Sequence, residues 1–390
     1  MKKNLRNEVE NIIDKVISIR RELHKYPEPA LNEHKTAEFI ASVLESMGVD
    51  TQRSIAGTGV VGVIFGSKPG KTLAIRADID ALNIEEKNEI SYKSERKGYM
   101  HACGHDGHVA MAIGAAMVLN SIKDQIVGNI KFVFQPAEEQ YGGAERMLKE
   151  NVLDIPKVDA IIAAHLWPDV PKGKIGIKEG CIMASNDKIE IKLYGKSAHG
   201  AMPHLGKDAI IAATEVVSAI QSFIAREINP LDSAVVTIGT FNSGTAYNIV
   251  ANEAMLTGTV RTIDNRTRDF AENRLRKIVE GICIASDVSF EFKYTKQYPA
   301  TINNPEVTSF IREIGEEVLG KENVLMLTNP YMTAEDFAYY LQKVPGCMFF
   351  IGTRDDENKF PLHHEKFNFD ERVLGIGVKL LTASAIKFLE

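Results

Sequence analysis

The densest collection of chemically reactive side chains lies at residues 100–108, which read MHACGHDGH. Three histidines, a cysteine and an aspartate fall within these nine positions, although the whole chain has 10 histidines and 4 cysteines. Thiolate, imidazole and carboxylate groups are the ligands that proteins use for zinc and similar metals. This stretch therefore predicts one part of a metal site, with further ligands coming from elsewhere in the chain.

Further candidate ligands follow short apolar runs that are typical of buried strands. Asp78 follows TLAIRA, Glu138 and Glu139 follow IKFVFQPA, His165 follows VDAIIAA, and His363 lies in a short loop after GCMFFIGT. In an open parallel sheet the carboxyl ends of the strands share one edge, where such folds bind ligands. We therefore expect these side chains to converge with the stretch at 100–108.

The combined donor set contains sulfur, nitrogen and oxygen atoms. It consists of Cys103, His105, Glu139, His165 and His363. Five ligands are too many for one tetrahedral ion, so two divalent ions that share a bridging ligand fit better, and zinc, manganese, cobalt or nickel would suit the set. Such a pair activates water for hydrolysis.

The adjacent residues Glu138 and Glu139 are expected to have different roles. If one binds metal, the other is free to act as a general base, and spacing alone leaves open which does which. His108 is interpreted as a residue beside the ligands rather than a ligand. Asp106 is either a partner of the helix dipole or a support for the ligands.

The pattern of apolar residues predicts an α/β fold with a second domain inserted into it. Up to residue 184, short apolar runs alternate with helical patterns, which indicates a mostly parallel sheet with helices on both faces. From 185 to 295 the strands alternate polar and apolar residues, which predicts a four-stranded antiparallel sheet with two helices. The first pattern resumes at 296. We predict a catalytic, metal-binding domain at 1–184 plus 296–390 and an inserted α+β domain at 185–295.

Composition narrows the class of protein. The net charge of -6 disfavours nucleic acid and anionic membranes as partners. Because no run of about 18 apolar residues is present, a membrane-spanning helix is not expected. The first lysines lead into a charged amphipathic helix rather than a signal peptide. Four scattered cysteines indicate free thiols in a reducing cytoplasm.

The predicted inserted domain carries candidate residues of its own. GKSAHGAMPHLGKDAI places two histidines in a glycine-rich connection, which is either an ordinary loop or a segment that reaches the substrate. Asn248 could hold a turn, and Arg261 could be an exposed strand charge. Alternatively, these two residues could bind a substrate carboxylate.

Ten motifs follow one another along essentially the whole chain. They are RRELHKYPEPALNEHKTAEFI, RADIDAL, MHACGHDGHVAMAIGAA, FQPAEEQYGGAERML, AAHLWP, GKSAHGAMPH, NPLDSAVVTIG, GTVRT, MTAEDFAYY and LHHEKF. Together they closely resemble the amidohydrolase branch of the dinuclear metallo-aminoacylase and carboxypeptidase family. That branch includes hippurate hydrolases, indole-acetyl-amino-acid hydrolases, N-acetylcysteine deacetylases and N-acetyl-diaminopimelate deacetylases.

The resemblance implies a role for each candidate residue in the catalytic domain. The family's metal ligands match the five residues of the donor set named above, and its general base matches Glu138. Asp78 matches an aspartate that orients a metal-binding histidine in the wider family. Arg76 stands here where that first histidine would be.

The resemblance also assigns residues of the inserted domain, which in this family is a lid. His199 matches a lid histidine that reaches across a dimer to the substrate or oxyanion in the wider family. Asn248 and Arg261 match lid positions near the substrate. Members of the family form homodimers through this domain, and some form homotetramers.

The expected function is therefore hydrolysis of N-acyl amino acids by water that two divalent ions activate and Glu138 deprotonates. A dipeptidase or aminopeptidase that acts on small peptides, and an N-acetyl-diaminopimelate deacetylase, remain open as alternatives. A non-catalytic metal-binding scaffold is disfavoured because both the ligand set and the base are present. A nucleic-acid binder is disfavoured by the acidic balance of the chain.

Overall fold

The computed structural model describes residues 2–390, with side chains from residue 7 onward. The chain divides into two compact units. Unit 1 comprises Met1–Ile182, Ile302–Asn329 and Asp336–Glu390, and unit 2 comprises Met183–Thr301 and Pro330–Glu335. The catalytic and lid roles of the two predicted domains stay predictions.

The regular elements are numbered in chain order. The α-helices are α1 (Lys2–Lys25), α2 (His34–Ser46), α3 (His105–Ser121), α4 (Gly143–Lys149), α5 (Ala209–Arg226), α6 (Asn265–Ser286), α7 (Pro305–Leu319), α8 (Ala338–Leu341) and α9 (Leu374–Leu389). The strands are β1 (Asp50–Ile55), β2 (Gly59–Phe65), β3 (Lys68–Asp78), β4 (Val127–Gln135), β5 (Ala160–Pro171), β6 (Ile175–Ile177), β7 (Gly180–Met183), β8 (Asp187–Tyr194), β9 (Ala234–Ser243), β10 (Glu253–Thr262), β11 (Ser289–Lys296), β12 (Thr301–Asn303), β13 (Val324–Met326) and β14 (Gly346–Arg354).

Unit 1 is built on an eight-stranded sheet in the order β1-β2-β4-β3-β5-β14-β6-β13. The central strands β4, β3, β5 and β14 run parallel to their neighbours in this series. Strands β1 and β2 are antiparallel additions at one edge. The parallel strands are almost continuously apolar because their residues are buried on both faces of the sheet. This sheet confirms the predicted α/β class.

Helix α3 is buried on all sides, which explains why its sequence shows no polar face. It packs against α1 and α9. At Gly107 a Cβ atom would lie 2.6 Å from Leu166 Cδ1, so only glycine allows the helix to approach β5 this closely. Gly104, at φ +85°, ends the preceding loop in a left-handed conformation. The first turn of α3 is thereby pressed against the residues that follow His165.

Unit 2 contains a four-stranded antiparallel sheet in the order β11-β8-β10-β9, on which α5 and α6 pack. In β8 the buried Ile189, Ile191 and Leu193 alternate with less buried charged residues, as expected for a sheet covered on one face. This arrangement confirms the predicted four-stranded sheet with two helices.

Helix α5 is long and apolar enough, by length and composition alone, to cross a membrane. The absence of a long apolar run had predicted no helix of this kind, and this prediction was wrong by the criterion of length and composition. The buried residues of α5 recur at helical spacing, and they belong to the apolar core between the helices and the sheet of unit 2. This one-sided burial is the pattern of a core helix in a globular domain.

Candidate metal centre

The parallel strands of unit 1 bring several polar side chains to one edge of the sheet. Asp78 is the last residue of β3, and in the β3–β4 ladder it pairs with Gln135, the last residue of β4. Glu138 and Glu139 follow β4 within four residues. His165 lies in β5, which is parallel to β3. The expected convergence is therefore present in the structure, although His165 lies within β5 rather than at its end as predicted.

The five predicted ligands form one cluster in unit 1. Cys103 Sγ lies 3.7 Å from His165 Nε2. Glu139 Oε1 lies 3.8 Å from His105 Nε2 and 3.3 Å from His363 Nε2. Ligand atoms of Cys103, His105 and Glu139 all lie within 4.8 Å of one another. Glu139 Oε1 thus faces both imidazoles.

Two of the histidine rings are oriented by backbone carbonyl groups. His105 Nδ1–H donates to the carbonyl oxygen of Asp80 at 2.9 Å. His165 Nδ1–H donates to the carbonyl oxygen of Leu166 at 2.8 Å. A carbonyl can only accept, so Nδ1 carries the proton in both rings, and Nε2 is the nitrogen that would be available to a metal ion.

The cluster contains buried polar atoms that a cation would satisfy. His105 Nε2 and Glu139 Oε1 are both buried without a hydrogen-bond partner. Such atoms carry a high desolvation cost, and in proteins they almost always have a partner. Since sulfur, nitrogen and oxygen donors surround the same space, the residues present fit divalent metal ions.

The electrostatics of the cluster also favour a cation. Burial raises the pKa of the Cys103 thiol well above its usual value, and the charges of Glu139 and Glu138 raise it further. Burial alone would lower the pKa of His105, but nearby carboxylates, Asp78 first, raise it to about 10. The region therefore has an excess of negative charge, which divalent cations would neutralise.

Asp78 and His108 contact each other rather than standing free as ligands. Asp78 Oδ1 accepts a hydrogen bond from His108 Nδ1 at 2.6 Å, and Oδ2 accepts one from Arg76 at 2.6 Å. His108 Nε2 accepts from the backbone N–H of Leu166 at 2.9 Å. Both nitrogens of His108 are therefore in use, although its ring lies within 4.8 Å of His105 and His165 donors.

Arg76 and Asp106 are buried supports of the same region. The Arg76 guanidinium also contacts Asp336 at 3.1 Å and Gln135 at 2.9 Å, so it ties the ends of β3 and β4 together. Although burial alone would raise the pKa of Asp78, Arg76 and then the two histidines hold it well below its usual value. Asp106, in the first turn of α3, accepts from Arg20 and His24 of α1, each at 2.8 Å.

The turn after β4 carries both glutamates and is held by two buried carboxylates. Ala137 has φ +54°, which is unusual for a residue with a Cβ atom. Its N–H donates to Glu33 at 2.8 Å, and the N–H of Glu139 donates to Asp80 Oδ2 at 3.0 Å. Glu138 lies between them and is 6% exposed.

Within unit 2, the predicted lid residues lie on two neighbouring loops and one strand. His199 is exposed, and its Nδ1 accepts from the N–H of Ala201 at 3.0 Å, so the neutral ring carries its proton on Nε2. The carbonyl of Asn248 accepts from the N–H of Gly200 at 2.8 Å, which brings the two loops together. Arg261, in β10, is partly buried and donates to the carbonyl of Met332 at 3.1 Å.

Asp80 and Glu33 were missed by the sequence analysis. Asp80 follows Asp78 by two residues in RADIDAL, and a period of two in an extended segment was a usable signal. Glu33 stands among other charged residues in LNEHK, and nothing there distinguishes it from a solvated side chain.

Sequence comparison with known proteins identifies the family to which this chain belongs. The model of peptidase family M20/M25/M40 matches residues 74–387. Thermostable carboxypeptidase 1 of Saccharolobus solfataricus is 41% identical over 390 residues, covering 98% of each chain. N-acetyl-L-cysteine deacetylase of Bacillus subtilis is 38% identical over 375 residues, covering 96% of this chain and 88% of the relative.

A solved structure of an M20 family protein is also similar to this chain. The Bacillus subtilis YXEP protein, described as a dinuclear metal binding peptidase from the M20 family, matches with a TM-score of 0.86 and 34% identity, covering 97% of this chain and 99% of that one. The chain belongs to peptidase family M20/M25/M40. It is a metal-binding hydrolase of the amidohydrolase type, as the sequence predicted.

Proposed function

We propose that the protein hydrolyses the amide bond of N-acyl amino acids with the help of two divalent metal ions. Its metal ligands are Cys103, His105, Glu139, His165 and His363. The observation that carries the proposal is the convergence of these side chains, with Glu139 Oε1 placed 3.8 Å from His105 Nε2 and 3.3 Å from His363 Nε2. The deacetylase relative supports the choice of an N-acyl amino acid.

Each catalytic residue has a separate task in this proposal. The bound ions supply Lewis acidity to water and to the amide carbonyl. Glu138 removes a proton from the attacking water and delivers it to the amine nitrogen as the C–N bond breaks. His199 donates its Nε2–H to the oxyanion. Asn248 and Arg261 bind the carboxylate of the amino-acid half.

Asp78 supports the site without touching the substrate. Its carboxylate holds the Nδ1–H of His108, whose Nε2 in turn holds the backbone N–H of Leu166. The carbonyl of Leu166 orients His165. This chain of hydrogen bonds takes the place of the direct orienting contact that the aspartate makes in the wider family.

Unit 2 has the features of a surface that binds a second copy of the chain. Strand β9 lies at the edge of its sheet. It exposes Val235 and Phe241, each at 42%, and α5 exposes Ile211 at 57%. An open strand edge with exposed apolar side chains favours pairing with another chain. A homodimer, or a homotetramer built from two such dimers, in the cytoplasm is the expected assembly.

A peptidase acting on small peptides is the second candidate. The relative named as a carboxypeptidase is as similar to this chain as the relative named as a deacetylase, with 41% and 38% identity. The two functions differ in whether the group on the acyl side carries a free amine. A substrate panel that varies only this group separates them.

The test is hydrolysis by protein from which metal has been removed with a chelator. Zinc, manganese, cobalt or nickel is restored singly, and release of the amino acid is measured from N-acetyl and N-benzoyl amino acids, N-acetylcysteine, N-acetyl-diaminopimelate and free dipeptides. Metal-restored release from an N-acyl amino acid supports the proposal and identifies the acyl group. Release from dipeptides alone would replace it with the peptidase function.

Substitution of the base refines this test. Glu138→Ala is expected to keep its metal and to lose turnover by about 10²–10⁴-fold, since a general base contributes on this scale. Near-normal turnover of this variant would remove Glu138 from the role of base.

A further inference from the structure

Two buried carboxylates beside the candidate metal centre have no task in the proposed reaction. Asp80 and Glu33 are both 0% exposed. They come from different segments, Asp80 from the residues after β3 and Glu33 from the residue before α2. Burying a carboxylate is costly unless it is well hydrogen-bonded, so the donors that each one has acquired show what it does.

Asp80 contacts two proposed metal ligands at once. Its backbone carbonyl accepts from His105 Nδ1–H at 2.9 Å, and its side-chain Oδ2 accepts from the backbone N–H of Glu139 at 3.0 Å. Its Oδ1 lies 3.3 Å from His105 Nδ1. One residue therefore joins the start of α3 to the turn after β4, and these two elements supply ligands that face each other at 3.8 Å.

Glu33 binds the opposite side of the same turn. Its Oε1 accepts from the N–H of Ala137 at 2.8 Å, and its Oε2 accepts from the hydroxyl of Thr58 at 2.6 Å. Ala137 is the residue with φ +54°, a conformation that persists only where surrounding contacts enforce it. The N–H groups on both sides of Glu138 are thus bound by buried carboxylates.

We propose that Asp80 and Glu33 are positioning residues that fix the turn at 137–139. Asp80 holds Glu139 opposite His105 so that the ligands are in place before metal arrives. Glu33 enforces the backbone conformation at Ala137, which sets the direction of Glu138. This inference deepens the proposed function and rests on it. Its primary readout is metal affinity, which does not depend on the identity of the substrate.

The first experiment compares Asp80→Ala with Asp80→Asn by titrating metal-free protein with zinc and with cobalt in competition with a chromophoric chelator. Asp80→Ala is expected to bind about 10–100-fold more weakly, the usual effect of removing a group that orients a ligand. Asp80→Asn keeps an oxygen that accepts the Glu139 N–H, and it is expected to restore most of the affinity.

Glu33 is tested in the same way with a different expected readout. Glu33→Ala is expected to lower kcat about 10-fold or more, with KM and metal affinity nearly unchanged, because a misplaced catalytic group costs rate. Glu33→Gln can still accept from Ala137 and is expected to recover most of kcat. Glu28→Ala is the matched control: Glu28 is also buried, but its side chain caps α2 by accepting from the N–H groups of Lys35 and Thr36.

Each proposed role can be overturned by a separate result. Wild-type metal affinity in Asp80→Ala would overturn the role of Asp80, as would an affinity in Asp80→Asn as poor as that in Asp80→Ala, since charge rather than the hydrogen bond would then be responsible. Wild-type kcat in Glu33→Ala, or a kcat in Glu33→Gln as low as that in Glu33→Ala, would overturn the role of Glu33. If the wild type binds metal tightly but cleaves no N-acyl amino acid, the proposed substrate fails while the role of Asp80 is still decided.

Discussion

The candidate metal centre of unit 1 and the candidate loops of unit 2 differ in how most of their functional residues are presented. In unit 1 the proposed ligands Cys103, His105 and His165 are buried, and a hydrogen bond to a carbonyl fixes each of these two histidine rings, whereas the proposed ligand His363 is exposed. In unit 2 His199 and Asn248 are exposed. The difference indicates two kinds of task, since metal binding requires a preformed donor set, whereas a residue that reaches a substrate must stay accessible.

The two units also differ in how many non-glycine residues have a positive φ. In unit 1, Ala137 and His363 have φ values of +54° and +64°, and each lies beside or within the ligand cluster. In the part of unit 2 that the structure describes, Asp287 at the end of α6 is the non-glycine residue with positive φ, and such a residue is ordinary at a helix end. Unit 1 also has positive φ at other non-glycine residues, namely Leu31, Ser54, Ala56, Tyr141 and Asn151, so this conformation is more frequent in unit 1 as a whole and is not confined to the ligand cluster.

The largest effect that this comparison predicts comes from removing a buried ligand. His105→Ala deletes one side of the 3.8 Å contact with Glu139. Metal ions supply several kcal/mol of transition-state stabilisation, so loss of metal should reduce kcat/KM by about a thousandfold or more. Metal content after dialysis and kcat/KM with added metal measure this. Full metal content in the variant would exclude His105 as a ligand.

A smaller loss of kcat, with metal retained, is expected from a substitution in unit 2. His199→Ala removes the Nε2–H that would stabilise the oxyanion, so kcat should fall by about 10²–10³-fold. His204→Ala is the matched control, because His204 is exposed on the same loop and is expected to leave kcat unchanged. Metal content should be the same in both variants. A loss of metal in His199→Ala would end the separation of tasks between the two regions.

The sequence was sufficient to predict the clustering of those residues whose type and spacing are typical of a metal site. Strand ends with metal-binding side chains predicted that Cys103, His105 and Glu139 would come together, because a parallel sheet has only one edge where its strands finish. The same reasoning did not find Glu33, whose partner Ala137 is 104 residues away and offers only its backbone N–H. Acceptors of backbone N–H groups leave no mark on the sequence around them.

The position of His108 was predictable from the sequence only approximately. The spacing of MHACGHDGH put it near the ligands, but only the structure shows that both of its nitrogens are hydrogen-bonded. His108→Phe should lower metal affinity by about 10–100-fold while two ions still bind at saturating metal, since supporting groups act on this scale. Chelator competition and metal analysis test this. A saturating content of one ion would make His108 a ligand.

The smallest effect on catalysis is expected from a buried charge in unit 2. Asp187 is 0% exposed and accepts hydrogen bonds from Arg268 at 2.8 Å, from the hydroxyl of Tyr294 at 2.7 Å and from the N–H of Gln297 at 3.0 Å. Asp187→Asn leaves the guanidinium of Arg268 buried without its counter-ion. The free energy of unfolding should fall by about 3–5 kcal/mol, as it does when one partner of a buried ion pair is removed.

Denaturant unfolding measures this loss, with Asp269→Asn as the control. Asp269 makes an exposed ion pair with Lys296, and such pairs contribute about 1 kcal/mol or less. In both variants the folded protein should keep its metal affinity and kcat, because the partners of Asp187 named above belong to unit 2, whereas the ligand cluster belongs to unit 1. If metal affinity fell together with stability in Asp187→Asn, the preformed donor set of unit 1 would depend on unit 2, and the two regions could no longer be treated as separate.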